Sequence, residues 1–285
     1  VQDNNPEVQK AINRIQPREM TEQVVSWCRE LNFDSVNIDL IYGLPLQTVE
    51  SFSKTLGEIL EMSPERLAIF NYAHVPWLKP HQDVLAKSGV LGADEKIDIF
   101  CRTVEEVTGA GYVYIGLDHF AKPEDELCKA QHAQTLQRNF QGYSTQGGSS
   151  IYGHGMSAVS QTHDAYFQNE KNLGDYYESI ASGNNAFVRG YILSEDDKIR
   201  RYTIMNLMCN LKLNFDEVSK SLNIDFREYF SDEIQSFTSF QEDGLIEVTD
   251  NEISITDMGR MFIRNAAMKF DAYLDKSTSR FSKTL

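Results

Sequence analysis

The chain has 285 residues, 41% of them hydrophobic, and a formal net charge of -15. That length buries one large core or two ordinary ones, so two domains are expected. The acidic balance opposes nucleic acid and anionic membranes and leaves small molecules as the expected ligands. No apolar run reaches the roughly 18 residues of a membrane helix and no signal-peptide pattern opens the chain, so the expected compartment is the cytoplasm. The chain starts at Val1 with no initiator Met and reads as a fragment of something longer.

In chain order, Thr21 to Leu31 reads as a helix and Ser35 to Ile41 as a strand. The strand continues into Asn37-Ile-Asp-Leu-Ile-Tyr-Gly-Leu-Pro45, a buried strand that ends on a polar turn. Asp39 is embedded among Ile38, Leu40 and Ile41, and burying a carboxylate there is costly unless something pairs with it. Helix Val49 to Met62 follows, Pro64 breaks it, and Arg66 to Tyr72 is a second buried strand. After a loop through Pro76 and Pro80, Asp94 to Thr108 is an amphipathic helix, and strand Tyr112 to Leu117 comes after Gly109 and Gly111.

Helix then strand, three times over, implies a parallel sheet covered by helices, barrel-like or doubly wound, with its chemistry at the strand carboxyl ends. All three ends are polar: Asp39 with Tyr42, Asn71 with His74, and Asp118 with His119. Each histidine alone reads as a structural side chain; three polar ends together favour a site.

From Arg138 to Val159 the chain turns rich in Gln, Gly, Ser and Tyr, a loop between short strands that lets backbone approach a ligand. Gly153 and Gly155 lack a third glycine at the dinucleotide-binding spacing. From Ser194 helices are expected over Glu195 to Leu211, Phe215 to Ser221 and Phe226 to Asp243. A hairpin Leu245 to Val248 and Ile253 to Ile255 and a final helix from Asp257 complete a winged-helix-like order. Its acidic balance reads as a packing or lid domain rather than a nucleic-acid reader. Cys28, Cys101, Cys128 and Cys209 lie far apart and read as free thiols, with Cys101 and Cys209 buried in helices.

Gln2-Asp3, Asn37 to Pro45, Phe70-Asn-Tyr-Ala-His74, Asp118-His-Phe-Ala121 and Arg138-Asn-Phe-Gln-Gly-Tyr143 resemble oxygen-independent coproporphyrinogen III oxidase across essentially the whole chain. The related haem chaperones have His-Asn-x-x-Tyr-Trp where this chain has Arg138 to Tyr143. The resemblance implies an α/β fold, an incomplete parallel β/α barrel of the radical S-adenosylmethionine type at 1–165, then a connection at 166–193 and a mainly helical, winged-helix-like domain at 194–285. It implies oxidative decarboxylation of two propionates of coproporphyrinogen III to vinyl groups, giving protoporphyrinogen IX through a 5'-deoxyadenosyl radical, with an unidentified electron acceptor and reductant.

Two S-adenosylmethionine molecules are implied, one at Gln2, Arg14, Asp39 and Ala73 and the other near Val159, with Arg138 a candidate for a substrate carboxylate. The resemblance also implies a 4Fe-4S cluster on a C-x3-C-x2-C loop, which this chain lacks along with the glycine-rich strand that follows it. The polypeptide alone is therefore expected to carry no cluster, to be inactive, and to self-associate through an exposed apolar sheet edge. Two other readings stay open: a haem or porphyrin carrier, and a metal-dependent hydrolase using Asp39, His74, Asp118 and His119.

Overall fold

The computed structural model describes residues 1–80, 82–86 and 89–274. Asn5 caps α1 (Pro6–Ala11), its side chain accepting from the Glu7 N–H, and Pro6 occupies a first-turn position where no N–H is needed. α2 (Arg18–Glu30) buries Thr21 and Val25 but leaves Met20, Val24 and Trp27 exposed.

β1 (Asn37–Tyr42) alternates strictly: Ile38, Leu40 and Tyr42 are buried, while Asn37 and Asp39 are exposed. This corrects the expectation of a buried carboxylate. Asp39 stands on the open face and accepts from Asn37 Nδ2 at 2.7 Å, so no desolvation cost arises. α3 (Val49–Met62) starts at a capping box between Thr48 and Ser51 and stops where Ser63 turns left-handed before Pro64. β2 (Arg66–Asn71), the short α4 (Gln82–Ala86), α5 (Ala93–Gly109), β3 (Val113–Gly116) and β4 (His119–Ala121) follow.

These four strands form one sheet in the order β1-β2-β4-β3. β1 and β2 are parallel, with Asp39 opposite Ala68, but β4 enters antiparallel between β2 and β3. The all-parallel expectation therefore holds at one pairing and fails at the other two, because the chain reverses tightly at Leu117-Asp118 and β4 takes the place beside β2. β3 still runs in the direction of β1 and β2, so the carboxyl ends of all three share one edge.

One face packs Leu40, Tyr42, Leu67, Ile69 and Tyr114 against Phe52, Leu56 and Ile59 of α3 and Ile99, Phe100 and Val107 of α5. Each such fully buried side chain contributes about 1.5–3 kcal/mol. The other face carries Asn37, Asp39, Ala68 and His119. Along β1 the Ile41 N–H donates to the Gln2 carbonyl at 2.9 Å.

α6 (Glu126–His132) leads to the hairpin β5 (Gln137–Asn139) and β6 (Gly142–Ser144). A separate antiparallel sheet joins β7 (Val159–Gln161), β8 (Ala165–Asn169) and β9 (Phe187–Ile192), with α7 (Leu173–Ala181) between the last two. Two strands and a helix thus occupy the stretch read as a connection.

α8 (Glu195–Asn210) opens the C-terminal module on a Ser194 capping box. β10 (Lys212–Asn214), α9 (Phe215–Leu222), α10 (Phe226–Tyr229), α11 (Ser231–Gln235), α12 (Thr238–Glu242), β11 (Ile246–Val248) and β12 (Glu252–Ile255) follow. A 3-10 turn at Gly259–Phe262 and α13 (Ile263–Met268) close it. The hairpin gains a third strand, giving the order β10-β12-β11. The single helix expected over Phe226 to Asp243 is three short ones, broken at Phe230 and Phe237, where packing of Phe226, Phe230 and Phe237 on Phe270 overrides local periodicity.

This module docks on the strand-end edge. Leu117 belongs to its core, Arg260 Nη1 donates to the Tyr114 carbonyl at 3.3 Å, and Gln131 Nε2 bridges the Ile115 and Cys209 carbonyls at 2.7 and 3.1 Å.

Candidate active site

The N-terminal segment is fixed beside β1 by a buried network. The Asp3 carboxylate accepts from the Asn5 N–H at 2.7 Å and from Thr55 Oγ1 and Gln47 Nε2 at 2.6 Å each. Gln47 also donates to the Ile41 carbonyl at 2.9 Å and accepts from the Leu44 N–H at 2.8 Å. This arrangement lays Gln2 along β1 near Asp39, and Gln9 ties the Arg14 loop to it, its Nε2 donating to the Asp3 carbonyl at 2.8 Å and its own carbonyl accepting from the Arg14 N–H at 2.8 Å. Gln2, Arg14 and Asp39 are thus brought to one end of the sheet, with Arg14 and Asp39 exposed.

Across the same face, the His119 ring meets Phe70 edge-on at 5.9 Å and Tyr143 at 5.2 Å, and the Arg138 guanidinium lies 5.6 Å over the Tyr143 ring. Gly142, beside Tyr143, has φ +137, and a Cβ there would stand 3.5 Å from His119 Nε2. Burial pulls the His119 pKa down to about 4, with Arg138 adding to the effect, so the imidazole is neutral at pH 7. Burial raises the Asp118 pKa, against the pull of Arg264 and Arg138. Ala73, just past β2, is exposed, and its carbonyl accepts from Gln82 Nε2 at 3.2 Å. Val159 lies apart, on β7 of the second sheet, paired with Gln168.

Several buried polar atoms here have no hydrogen-bond partner: Gln2 Oε1, Asn71 Oδ1, Tyr72 Oη, His74 Nδ1, His119 Nδ1 and Arg138 Nε. Each such group costs about 1–3 kcal/mol if left unsatisfied. Their concentration at strand carboxyl ends points to a polar ligand with both donors and acceptors.

The sequence reading missed Asp3 as a structural anchor, Gln47, Lys96 and Arg264. Lys96 Nζ reaches the Tyr72 carbonyl at 3.1 Å, and its stem would lie 2.6 Å from a Cβ at Gly43. Burial lowers its pKa. Only Gln47 had a signal, as the amide that follows the Gly43-Leu-Pro45 turn.

Comparison with known proteins decides the family. Residues 193–262 match the HemN C-terminal domain. The chain is 43% identical to the oxygen-independent coproporphyrinogen III oxidase of Synechocystis over its whole length, spanning 62% of that protein. It is 42% identical to the one from Thermostichus vulcanus, again over its whole length, and spans 88% of it. The chain belongs to the oxygen-independent coproporphyrinogen III oxidase family.

Coproporphyrinogen III oxidase (HemN) from Escherichia coli, a radical SAM enzyme by its published description, superposes with a TM-score of 0.93 at 43% identity. The superposition covers 96% of this chain and 63% of that one. The α/β fold read from the sequence is therefore the fold of the family.

The family implies an iron-sulfur cluster, and the cysteines here do not fit one. Cys28 is half-buried, Cys101 is exposed rather than buried as expected, and burial pushes the thiols of Cys128 and Cys209 up to about 11 and 12. Among the described residues no three His, Cys, Asp or Glu side chains converge as metal ligands, so Asp39, His74, Asp118 and His119 do not make a hydrolase metal centre. No helix among the described residues is long and apolar enough to cross a membrane.

Proposed function

We propose that this chain supplies S-adenosylmethionine-binding and substrate-holding residues of an oxygen-independent coproporphyrinogen III oxidase, which oxidatively decarboxylates two propionates of coproporphyrinogen III to give protoporphyrinogen IX. The observation that carries this reading is the row of unpartnered buried polar atoms along the strand carboxyl ends, in a chain whose relatives bear that name.

The residues suit S-adenosylmethionine. Asp39 accepts from its amino or ribose groups, Arg14 holds its carboxylate, and Gln2 offers a donor and an acceptor. Ala73 contributes backbone or apolar contact, and Val159 does the same for a second molecule. When bound, S-adenosylmethionine supplies, on reduction, the species that takes hydrogen from the propionate β-carbon. The protein's part is to orient that carbon and exclude water. Arg138 holds a substrate carboxylate, and neutral His119 packs on the Tyr143 ring beneath it without adding charge. An electron acceptor and a reductant complete the reaction, and the free thiols are in keeping with a cytoplasmic setting.

Calorimetric titration of the chain with S-adenosylmethionine tests the binding part. Saturable binding that falls about tenfold in Asp39→Asn is expected. Absence of binding, or equal binding by the variant, overturns it.

A further inference from the structure

We propose that Arg138 of the β5–β6 hairpin and Arg264 of α13 form a two-arginine subsite that takes one carboxylate of a tetrapyrrole substrate, displacing the side chain of Asp118. This rests on the coproporphyrinogen reading above and adds to it a role for the C-terminal module.

The chain carries an excess of acids, and its arginines are mostly engaged. Nine of the twelve described arginines donate a side-chain hydrogen bond within the protein. Arg14, Arg138 and Arg264 do not. Arg14 lies at the proposed S-adenosylmethionine end. Of the other two, Arg264 Nη2 stands 3.9 Å from Asp118 Oδ2, beyond hydrogen-bond length, and Arg138 lies over Tyr143, which packs on His119 next to Asp118, so that the charges of both guanidiniums act on that carboxylate.

Arg138 is positioned but not satisfied. Its plane lies over the Tyr143 ring, whose hydroxyl donates to the Met208 carbonyl at 3.2 Å, and its Nε is buried without a partner. Arg264 is half-exposed, whereas the Asp118 side chain is 21% exposed. A guanidinium fork matches a carboxylate in two parallel hydrogen bonds, which Asp118 does not give either arginine in this geometry. Burial favours the protonated form of Asp118, so an incoming propionate carboxylate replaces a poor counter-ion with a better one. The subsite spans the sheet and the C-terminal module, so its occupant also bridges the two.

Fluorescence titration of this chain with coproporphyrin III and with its tetramethyl ester tests the proposal, using wild type, Arg264→Gln, Arg138→Gln and Asp118→Asn, with each variant's melting temperature measured alongside. Arg264 is half-exposed, so Arg264→Gln is expected to melt within a few degrees of wild type. It is expected to weaken coproporphyrin binding by about tenfold or more and leave the ester unchanged. Asp118→Asn is expected to bind the acid at least as tightly as wild type. Equal binding of acid by wild type and both arginine variants, or equal binding of acid and ester by wild type, overturns the subsite alone. Absence of porphyrin binding by folded wild type overturns the coproporphyrinogen reading with it.

Discussion

The Gln47 amide donates to the buried Asp3 carboxylate at 2.6 Å and, through its other contacts, clamps the N-terminal segment to the end of β1. Gln47→Ala removes one donor from a carboxylate that is almost wholly buried, and a loss of about 2–3 kcal/mol in urea denaturation is expected. Gln47→Glu sets a second carboxylate against Asp3 and is expected to lose more. Because Gln2 rides on this clamp, weaker S-adenosylmethionine binding is expected in both; unchanged stability in Gln47→Ala would rule the clamp out.

The neutral His119 ring makes stability pH-dependent. Its pKa of about 4 lies below the unfolded value of 6.5, so the contribution is fully present above pH 6.5 and disappears as pH falls toward 4. The full window corresponds to about 3 kcal/mol. Asp118 works the other way, its raised pKa favouring the fold at acid pH, so the wild type must be compared with His119→Gln rather than with itself. The drop between pH 7 and pH 4.5 in urea unfolding is expected to shrink in the variant. An equal drop in both would contradict the burial of the imidazole.

Gly116 has φ +144, and a Cβ there would meet Tyr143 Oη at 2.8 Å. Gly116→Ala is expected to cost about 2–3 kcal/mol through backbone strain and this clash. In a Tyr143→Phe background the clash with the hydroxyl is gone, so a double-mutant cycle should recover about 1 kcal/mol of coupling. Simple additivity would place the cost in the backbone alone.

Gln131 joins β3 to α8 through two carbonyls. Gln131→Leu leaves both unsatisfied, and a loss of about 1–3 kcal/mol with faster proteolysis between the sheet and the C-terminal module is expected. Cleavage at the wild-type rate would show that the modules are held by other contacts.

Much of this fold was legible because α3 and α5 carry strong apolar periodicity between clear breakers: Val49 to Met62 was read with the bounds observed. The three polar strand ends were legible too. Asp39 was misplaced because a run such as Ile38 to Ile41 looks buried on both faces, while the strand buries only one. The β4 insertion was hidden because Asp118-His119 reads as a strand end, whereas the chain turns back there within a few residues. Arg138 was a candidate only through the family resemblance. Arg264 was not, since only tertiary docking of α13 on the sheet edge brings it to Asp118.

The most direct test replaces the matching stretch of the Synechocystis relative with these 285 residues and assays the chimera anaerobically with coproporphyrinogen III, S-adenosylmethionine and a reductant. Conversion to protoporphyrinogen IX with release of carbon dioxide, abolished by Asp39→Asn, is the expected result. A folded, cluster-loaded chimera that leaves coproporphyrinogen III unchanged would contradict the proposed function.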